Sequence, residues 1–452
     1  MAKKKQIELT IEEKLQNALV PKEEQPYKIP SNWCWSYWKY CGKFIAGNGF
    51  KNIYQGFTQY DIPYYKVGSL KFCDEGNYLI DETNTINEEI RTKLKAVKIP
   101  VNSIIFAKIG EAIKLNRRCL NKIECCIDNN LMAFISEKYF YKYIFYWTKS
   151  LNFYELTNAT TVPALRKTDL ENIPIPLPPL NEQQRIVNRI ESLFAKLDRA
   201  KELIENTLAQ FEQNKMAILH KTFTGELTAK WRKENNIDLS SWEKIKLGKV
   251  LLPMQTKKPT GQFFRYIDID AIDNKRQIVK APKLILTEKA PSRASRGVET
   301  GNILFSMVRP YLKNIAQIDS DLSDCIASTG FYVCRCKPEL NSRFLYYLFI
   351  FDKTIDYLMQ FMKGDNSPSI RKDDLLNMKI DLPTIEEQQE IVNILDKLLA
   401  KYNKIKNLEQ QLEKIELLKK AILAKAFRGE LGTNNPDEES AENLLKEILA
   451  EK

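Results

Sequence analysis

The sequence predicts an α+β (mixed α/β) fold in which two globular domains are joined by two long antiparallel coiled-coil helices, an internal repeat about a pseudo-twofold axis. Two observations predict it. The phrase "LPPLNEQQRIVNRI" at 177–190 returns as "LPTIEEQQEIVNIL" at 382–395, and each copy opens a stretch free of Gly and Pro, 181–224 and 384–428. Ahead of each stretch lies a block of roughly 150 residues, the usual size of one domain. Its short β-branched and aromatic runs, broken by Gly, Asn and Pro, read as strands of a curled sheet.

The elements follow in order. Residues 1–30 form an N-terminal amphipathic segment; its basic start, "MAKKKQIELTIEEK", has no apolar run behind it and is not a secretory signal. The first globe, 31–180, opens at Trp33-Cys34-Trp35 and closes on prolines 174, 176, 178 and 179, which hold the chain extended and forbid a helix ahead of them. A helical spacer, 181–230, carries Ile186, Ile190, Leu193, Leu197, Ala200, Ile204 and Phe211 at three- and four-residue steps, which gives one apolar seam. Gly225 ends it.

The second globe, 231–383, opens near Trp242. Within it "GNILFSMVRP" (301–310) echoes "VNSIIFAKIG" (101–110), and "RFLYYLF" (343–349) echoes "YKYIFYW" (141–147). A second spacer, 384–432, starts with Thr384 and Glu387 spaced as a capping box. Its seam is Ile391, Leu395, Leu398, Tyr402, Ile405, Leu412 and Ile415, and Gly429 ends it. An amphipathic tail, 433–452, closes the chain. At 1.5 Å per residue each spacer is a rod of ~60 Å, longer than a domain core requires.

The repeat is a duplication. At a shift of 205, residues 166–197 match 371–402 at 17 of 32 positions without a gap, and "AILHKTFTGELT" (217–228) matches "AILAKAFRGELG" (421–432) at a shift of 204. One residue has been lost inside the second rod. The globes have diverged far more than the rods. That contrast implies rods meeting an unvarying partner and globes meeting something different at each end.

Composition narrows the chemistry. The chain has 452 residues and a net charge of +11, which favours a polyanionic partner. Nine scattered cysteines without a CxxC pair read as reduced thiols, which places the protein in the cytoplasm. The single histidine, His220, lies in a charged helical stretch and reads as surface or packing. No run approaches the 18 apolar residues of a membrane span. "CGKF" and "LGKV" lack the rest of a phosphate loop, and Gly47-Asn48-Gly49 reads as a turn. The chain therefore reads as one that binds and positions, with no catalytic residue, no metal and no cofactor of its own. A self-contained methylase or nuclease is disfavoured by the missing motifs.

"IPLPPLNEQQRIVNRIESLFAKLD", its second copy, the helix endings "FTGELT" and "FRGEL", and the tail "NPDEESAENLLKEILAEK" resemble the specificity (S) subunits of Type I restriction–modification enzymes. The resemblance runs from about Ser31 onward. It implies that the globes are target-recognition domains, each reading one half of an asymmetric bipartite site in double-stranded DNA, with the helical spacers setting the gap. It implies two methyltransferase (M) subunits and the restriction/translocase (R) subunits as partners. S-adenosylmethionine, ATP and Mg are then expected only on those partners. The rival is a coiled-coil DNA-binding scaffold without sequence specificity.

Such a role needs Lys and Arg on phosphates and a few side chains on base edges. In the first globe "KIGEAIKLNRRC" offers Lys108, Lys114, Asn116, Arg117 and Arg118, with Arg suited to guanine and Asn to adenine. In the second, "RASRG" offers Arg293 and Arg296, and "VRPYLKN" offers Arg309, Tyr311 and Lys313. Arg166 and Lys167 repeat as Arg371 and Lys372 near each junction of globe and rod, suited to phosphates or to nearby acids. "NEQQ" and "EEQQ" are candidates for methyltransferase contact as well as helix caps.

Overall fold

In the computed structural model the described residues are 10–136, 141–157, 162–403 and 406–451. They form mixed helix and sheet in two compact units, residues 1–202 with 411–452 and residues 203–410. The first unit is assembled from two pieces far apart in sequence, and the second is one continuous stretch. No described helix is long and apolar enough to cross a membrane.

The first rod is one helix, Leu180–Phe223, of 44 residues. The second is described as Ile385–Asn403 and Lys406–Phe427. Ile405 and the side chain of Tyr402, both placed in the second seam, lie outside the described residues. In the first unit Asp198 meets Lys419 at 2.5 Å and Lys201 meets Glu416 at 3.6 Å. A step of three up one helix is a step of three down the other, so the helices run antiparallel. Between 191 and 218 the first rod has no fully buried residue, and its seam is half-covered, as expected of a helix paired with a second helix rather than enclosed in a core. Both rods end as the sequence requires: Gly225 and Gly429 take φ +78° and +75°, the left-handed turn that glycine adopts without strain.

In each globe the opening strand pairs antiparallel with the strand that leads into the rod, Cys34–Tyr37 with Pro174–Leu177 and Glu243–Lys246 with Lys379–Leu382. The prolines of the first pair are tolerated because this two-stranded ribbon is all edge. Inside, the two globes share a topology that their sequences barely hint at. A four-stranded antiparallel sheet has the order 42–46, 131–136, 104–107, 118–120 in the first and 251–252, 331–336, 303–306, 315–317 in the second. A second small sheet contains a parallel strand pair, Ile62–Tyr65 beside Cys126–Ile127 and Phe263–Ile267 beside Ile326–Ser328. Among the described residues several small sheets thus stand where the sequence reading placed a single curled sheet, with strands of two to six residues.

A buried helix, Tyr141–Ser150 or Ser342–Ile350, packs on each four-stranded sheet. In the first core Trp38 is fully buried, with Phe44 and Trp147 edge-on at 4.7 and 5.0 Å. In the first unit Ile11–Ala18 also packs with Ala441–Ala450 through Leu15, Ala18, Leu445 and Leu449, so the two amphipathic ends of the chain cover one another.

Candidate nucleic-acid interface

The doubled "EQQ" is built into the fold first. Glu182 and Glu387 are fully buried at the starts of the two rods. Glu182 accepts from Trp33 Nε1 at 2.8 Å and Thr433 Oγ1 at 3.3 Å. Glu387 accepts from Trp242 Nε1 at 2.9 Å, Thr228 Oγ1 at 2.6 Å and Arg232 Nη1 at 2.5 Å. Each glutamate therefore ties three pieces together: a rod's start, the tryptophan opening its globe, and the segment that follows the other rod. The surrounding charges are inverted between copies. In the first unit the cation is on the rod, Arg185 forking onto Glu438 at 2.7 and 2.8 Å; in the second it is on the following segment, as Arg232.

Burial raises the Glu182 carboxyl above its usual range, a shift opposed by the bonds from Trp33 and Thr433. Gln183 and Gln388, also buried, donate to the carbonyls of Pro178 and Pro383, each at 2.9 Å. Only the second glutamines, Gln184 and Gln389, are exposed, bonded to Asn188 and Asn393 one turn on. The expected capping box is half-formed. Thr384 accepts from the Glu387 amide at 3.4 Å, but the Glu387 carboxylate is committed to Arg232 and Trp242 rather than to the cap.

The backbone places the basic candidates in matched frames. Leu165 N donates to Lys108 O at 2.8 Å and Gly110 N to Pro163 O at 2.8 Å. In the second globe Ile370 N donates to Met307 O at 3.0 Å and Arg309 N to Pro368 O at 2.8 Å. These bonds gather Lys108 with Arg166 and Lys167, and Arg309 with Arg371 and Lys372. Thr329 N also donates to Arg293 O, and Met307 N to Gly330 O, which brings Arg293 to the same end as Arg309.

The register corrects the sequence alignment by one residue: the counterpart of Arg309 is Gly110, not Ile109. Both occupy the left-handed region, at φ +48° and +86°. Glycine does so freely, whereas an exposed arginine is held there by the Pro368 bond and by its own Nη2 donating to Asn366 O at 2.8 Å. The first globe thus presents bare backbone where the second presents a guanidinium.

Other candidates are occupied by the fold. Arg118 is only 3% exposed. Its guanidinium donates to the carbonyls of Asn116 and Leu151 and lies 3.8 Å from the Phe153 ring, and burial pulls its pKa down to about 9. A side chain so enclosed is withheld from a duplex, which corrects its assignment to DNA contact. Asn116, at φ +52°, spends its amide on Leu151 O and Phe153 N. Lys313 plays the matching part, donating to Ile350 O at 3.2 Å and pairing with Asp352. Both are structural ties at the end of the globe's helix, again a correction.

Lys114 is exposed but paired with Glu111 at 2.6 Å, and Lys167 with Glu171 at 3.5 Å. Arg117, Arg166, Arg293, Tyr311, Arg371 and Lys372 are exposed, and Lys108 and Arg296 half-buried. His220 is exposed on the first rod. Sequence reading missed the tryptophan-to-glutamate ties. The signal was present, since each opening tryptophan and each rod glutamate is duplicated, but nothing in the sequence pairs them.

The model of the Type I restriction modification DNA specificity domain matches this chain twice, at residues 52–210 and 242–417. The chain is 28% identical over 342 residues to the Type I restriction enzyme EcoDI specificity subunit of Escherichia coli, covering 68% of this chain and 76% of that one. It is 28% identical over 334 residues to the EcoBI specificity subunit of the same organism, covering 66% and 68%. Against the MjaVIII specificity subunit of Methanocaldococcus jannaschii it is 25% identical over 297 residues, covering 62% and 67%. Among solved structures, a chain of a type I R-M system aligns with TM-score 0.66 at 20% identity, over 90% of this chain and all of that one. The HsdS subunit from Thermoanaerobacter tengcongensis aligns with TM-score 0.52 at 21% identity, again over 90% and 100%. These two share the fold.

Proposed function

The chain belongs to the Type I restriction–modification DNA specificity family, and from that premise we propose that it selects DNA for a modification and restriction complex while performing no chemistry itself. Each globe reads one half of an asymmetric two-part site, and the rods hold the unread gap. The observation that carries this reading is one fold used twice with unlike reading ends, Gly110 in the first and Arg309 in the second, on rods that stayed alike. A scaffold indifferent to sequence would have no use for two globes of one topology and divergent surfaces.

The partners we assign are double-stranded DNA, two methyltransferase subunits and the restriction subunits, with S-adenosylmethionine, ATP and magnesium held by those subunits. Cellular DNA as the target places the protein in the cytoplasm. We assign phosphate and base contact to Lys108, Arg117, Arg166 and Lys167 in the first globe. In the second we assign it to Arg293, Arg309, Tyr311, Arg371 and Lys372.

The test is to sequence methylated adenines in host DNA, then exchange residues 31–165 for the same block of a relative. One half-site changes and the other stays. Change in both halves, or methylation without a two-part site, refutes the division of labour.

A further inference from the structure

Each unit has a small polar cluster that is duplicated with a different base and a different acid. In the first, Lys142 Nζ lies 2.9 Å from Glu191, and the Tyr146 hydroxyl lies 3.4 Å from the same carboxylate. In the second, Arg343 Nε lies 3.2 Å from Asp396, to which the Tyr347 hydroxyl also donates. The base and the tyrosine stand on the globe's buried helix and the acid stands on the rod. The pairing realigns the globe helices by one residue from the sequence echo, Lys142 with Arg343 and Tyr146 with Tyr347. The acid changes from Glu to Asp and the base from Lys to Arg, and the ion pair is kept in both copies. Arg343 further lies 4.5 and 5.0 Å from the rings of Tyr346 and Tyr347.

The place of the cluster on the rod is the same in both units. Ile186, Val187 and Ile190 are buried against the first globe, as Ile391, Val392 and Leu395 are against the second. One position further along come Glu191 and Asp396. Beyond them the packing thins, with Phe194 and Leu399 only partly buried against the globe cores. A cavity of about 1200 Å³ opens beside Phe194, Ala195 and Asp198, and one of about 780 Å³ beside Leu399 and Ala400. Apolar packing seats the globe at the rod's first turns but is non-directional, and the open space leaves room for the globe to tilt about that seat. Directional contacts at the edge of the seat oppose the tilt.

We propose that Lys142–Tyr146–Glu191 and Arg343–Tyr347–Asp396 are positioning clamps that fix the angle at which each reading globe stands on its rod, and so the number of unread base pairs between the half-sites. This rests on the function proposed above. A tilt that carries a reading face ~3.4 Å along the duplex changes the gap by one base pair.

The test uses the modification complex assembled with the full chain. Methylation is measured on a substrate series that keeps both half-sites and varies the gap from two base pairs shorter to two longer than native. The wild type selects one gap. Glu191→Gln with Asp396→Asn is expected to raise methylation at neighbouring gaps, relative to the native gap, by about fivefold per clamp, the scale of a partly exposed ion pair. The bases read in each half-site stay the same, and the conservative Glu191→Asp keeps the native selectivity. A double variant that assembles and still selects one gap as sharply as the wild type overturns the proposal. Should the double variant fail to assemble, exchange of charges by Lys142→Glu with Glu191→Lys decides. Restored selectivity in the exchange, against broadened selectivity in Glu191→Lys alone, supports the clamp; equal selectivity in the two overturns it. A wild-type complex that methylates no two-part site at all would instead sink the function on which the clamp depends.

Discussion

Substituting Gln for each of the two duplicated glutamates is expected to cost very different amounts of stability at equivalent positions. Glu387 is fully buried, and its partner Arg232 is 7% exposed at the side chain. Glu387→Gln leaves that guanidinium enclosed without its counter-charge. Breaking a buried pair from one side costs about 3–5 kcal/mol, because the remaining charge stays desolvated. Glu182→Gln strands no such cation, since Arg185 keeps Glu438. The amide oxygen still accepts from Trp33, and neutralising a carboxylate that burial already disfavours recovers desolvation energy. The net loss is about 1 kcal/mol, one weakened hydrogen bond to Thr433.

Urea and thermal melts followed by tryptophan fluorescence measure both, because Trp242 and Trp33 each donate to the carboxylate being changed. For a unit of this size the larger loss lowers Tm by roughly 6–20 °C. Adding Arg232→Met to Glu387→Gln is expected to recover most of it, because an apolar side chain of similar volume removes the stranded charge. Equal losses from the two single substitutions, or no recovery in the double variant, would refute the reasoning that Glu387 neutralises a buried cation and Glu182 does not.

Two further outcomes are expected. Arg309→Gly keeps the left-handed backbone and should leave stability unchanged while relaxing base preference about tenfold at one position of a single half-site; Arg118→Ala should instead cost about 2 kcal/mol of stability and leave base preference alone, read by melts and methylation of substituted sites. Burial depresses the Lys149 ammonium to about 8 from its usual 10.5. Its contribution to stability is therefore complete above about 10.5 and is lost as pH falls to about 8, and the wild type should gain on Lys149→Met by roughly 1–2 kcal/mol between pH 8 and 9.5 in parallel urea melts.

Sequence alone determined the duplication, the rods and their ends. A seam of Ile186, Ile190, Leu193 and Leu197, bounded by prolines and by Gly225, has one low-energy arrangement, since helix period and helix punctuation are local properties. The fold class and the family were legible for the same reason: the duplicated phrase is long and lies in the rods. Tertiary structure decided which basic residues face outward. Arg117 and Arg118 are neighbours in the same motif, yet one is exposed and the other is enclosed by Phe153 and the Leu151 carbonyl. Arg118 opens a three-residue strand that is buried throughout and Arg117 lies just before it, a boundary that a run this short does not mark in sequence. Tertiary structure also decided that the glutamate of "EQQ" is a buried tie rather than a surface for a partner. Its ligands come from 149 and 155 residues away, and a contact of that separation exists only once the chain has folded.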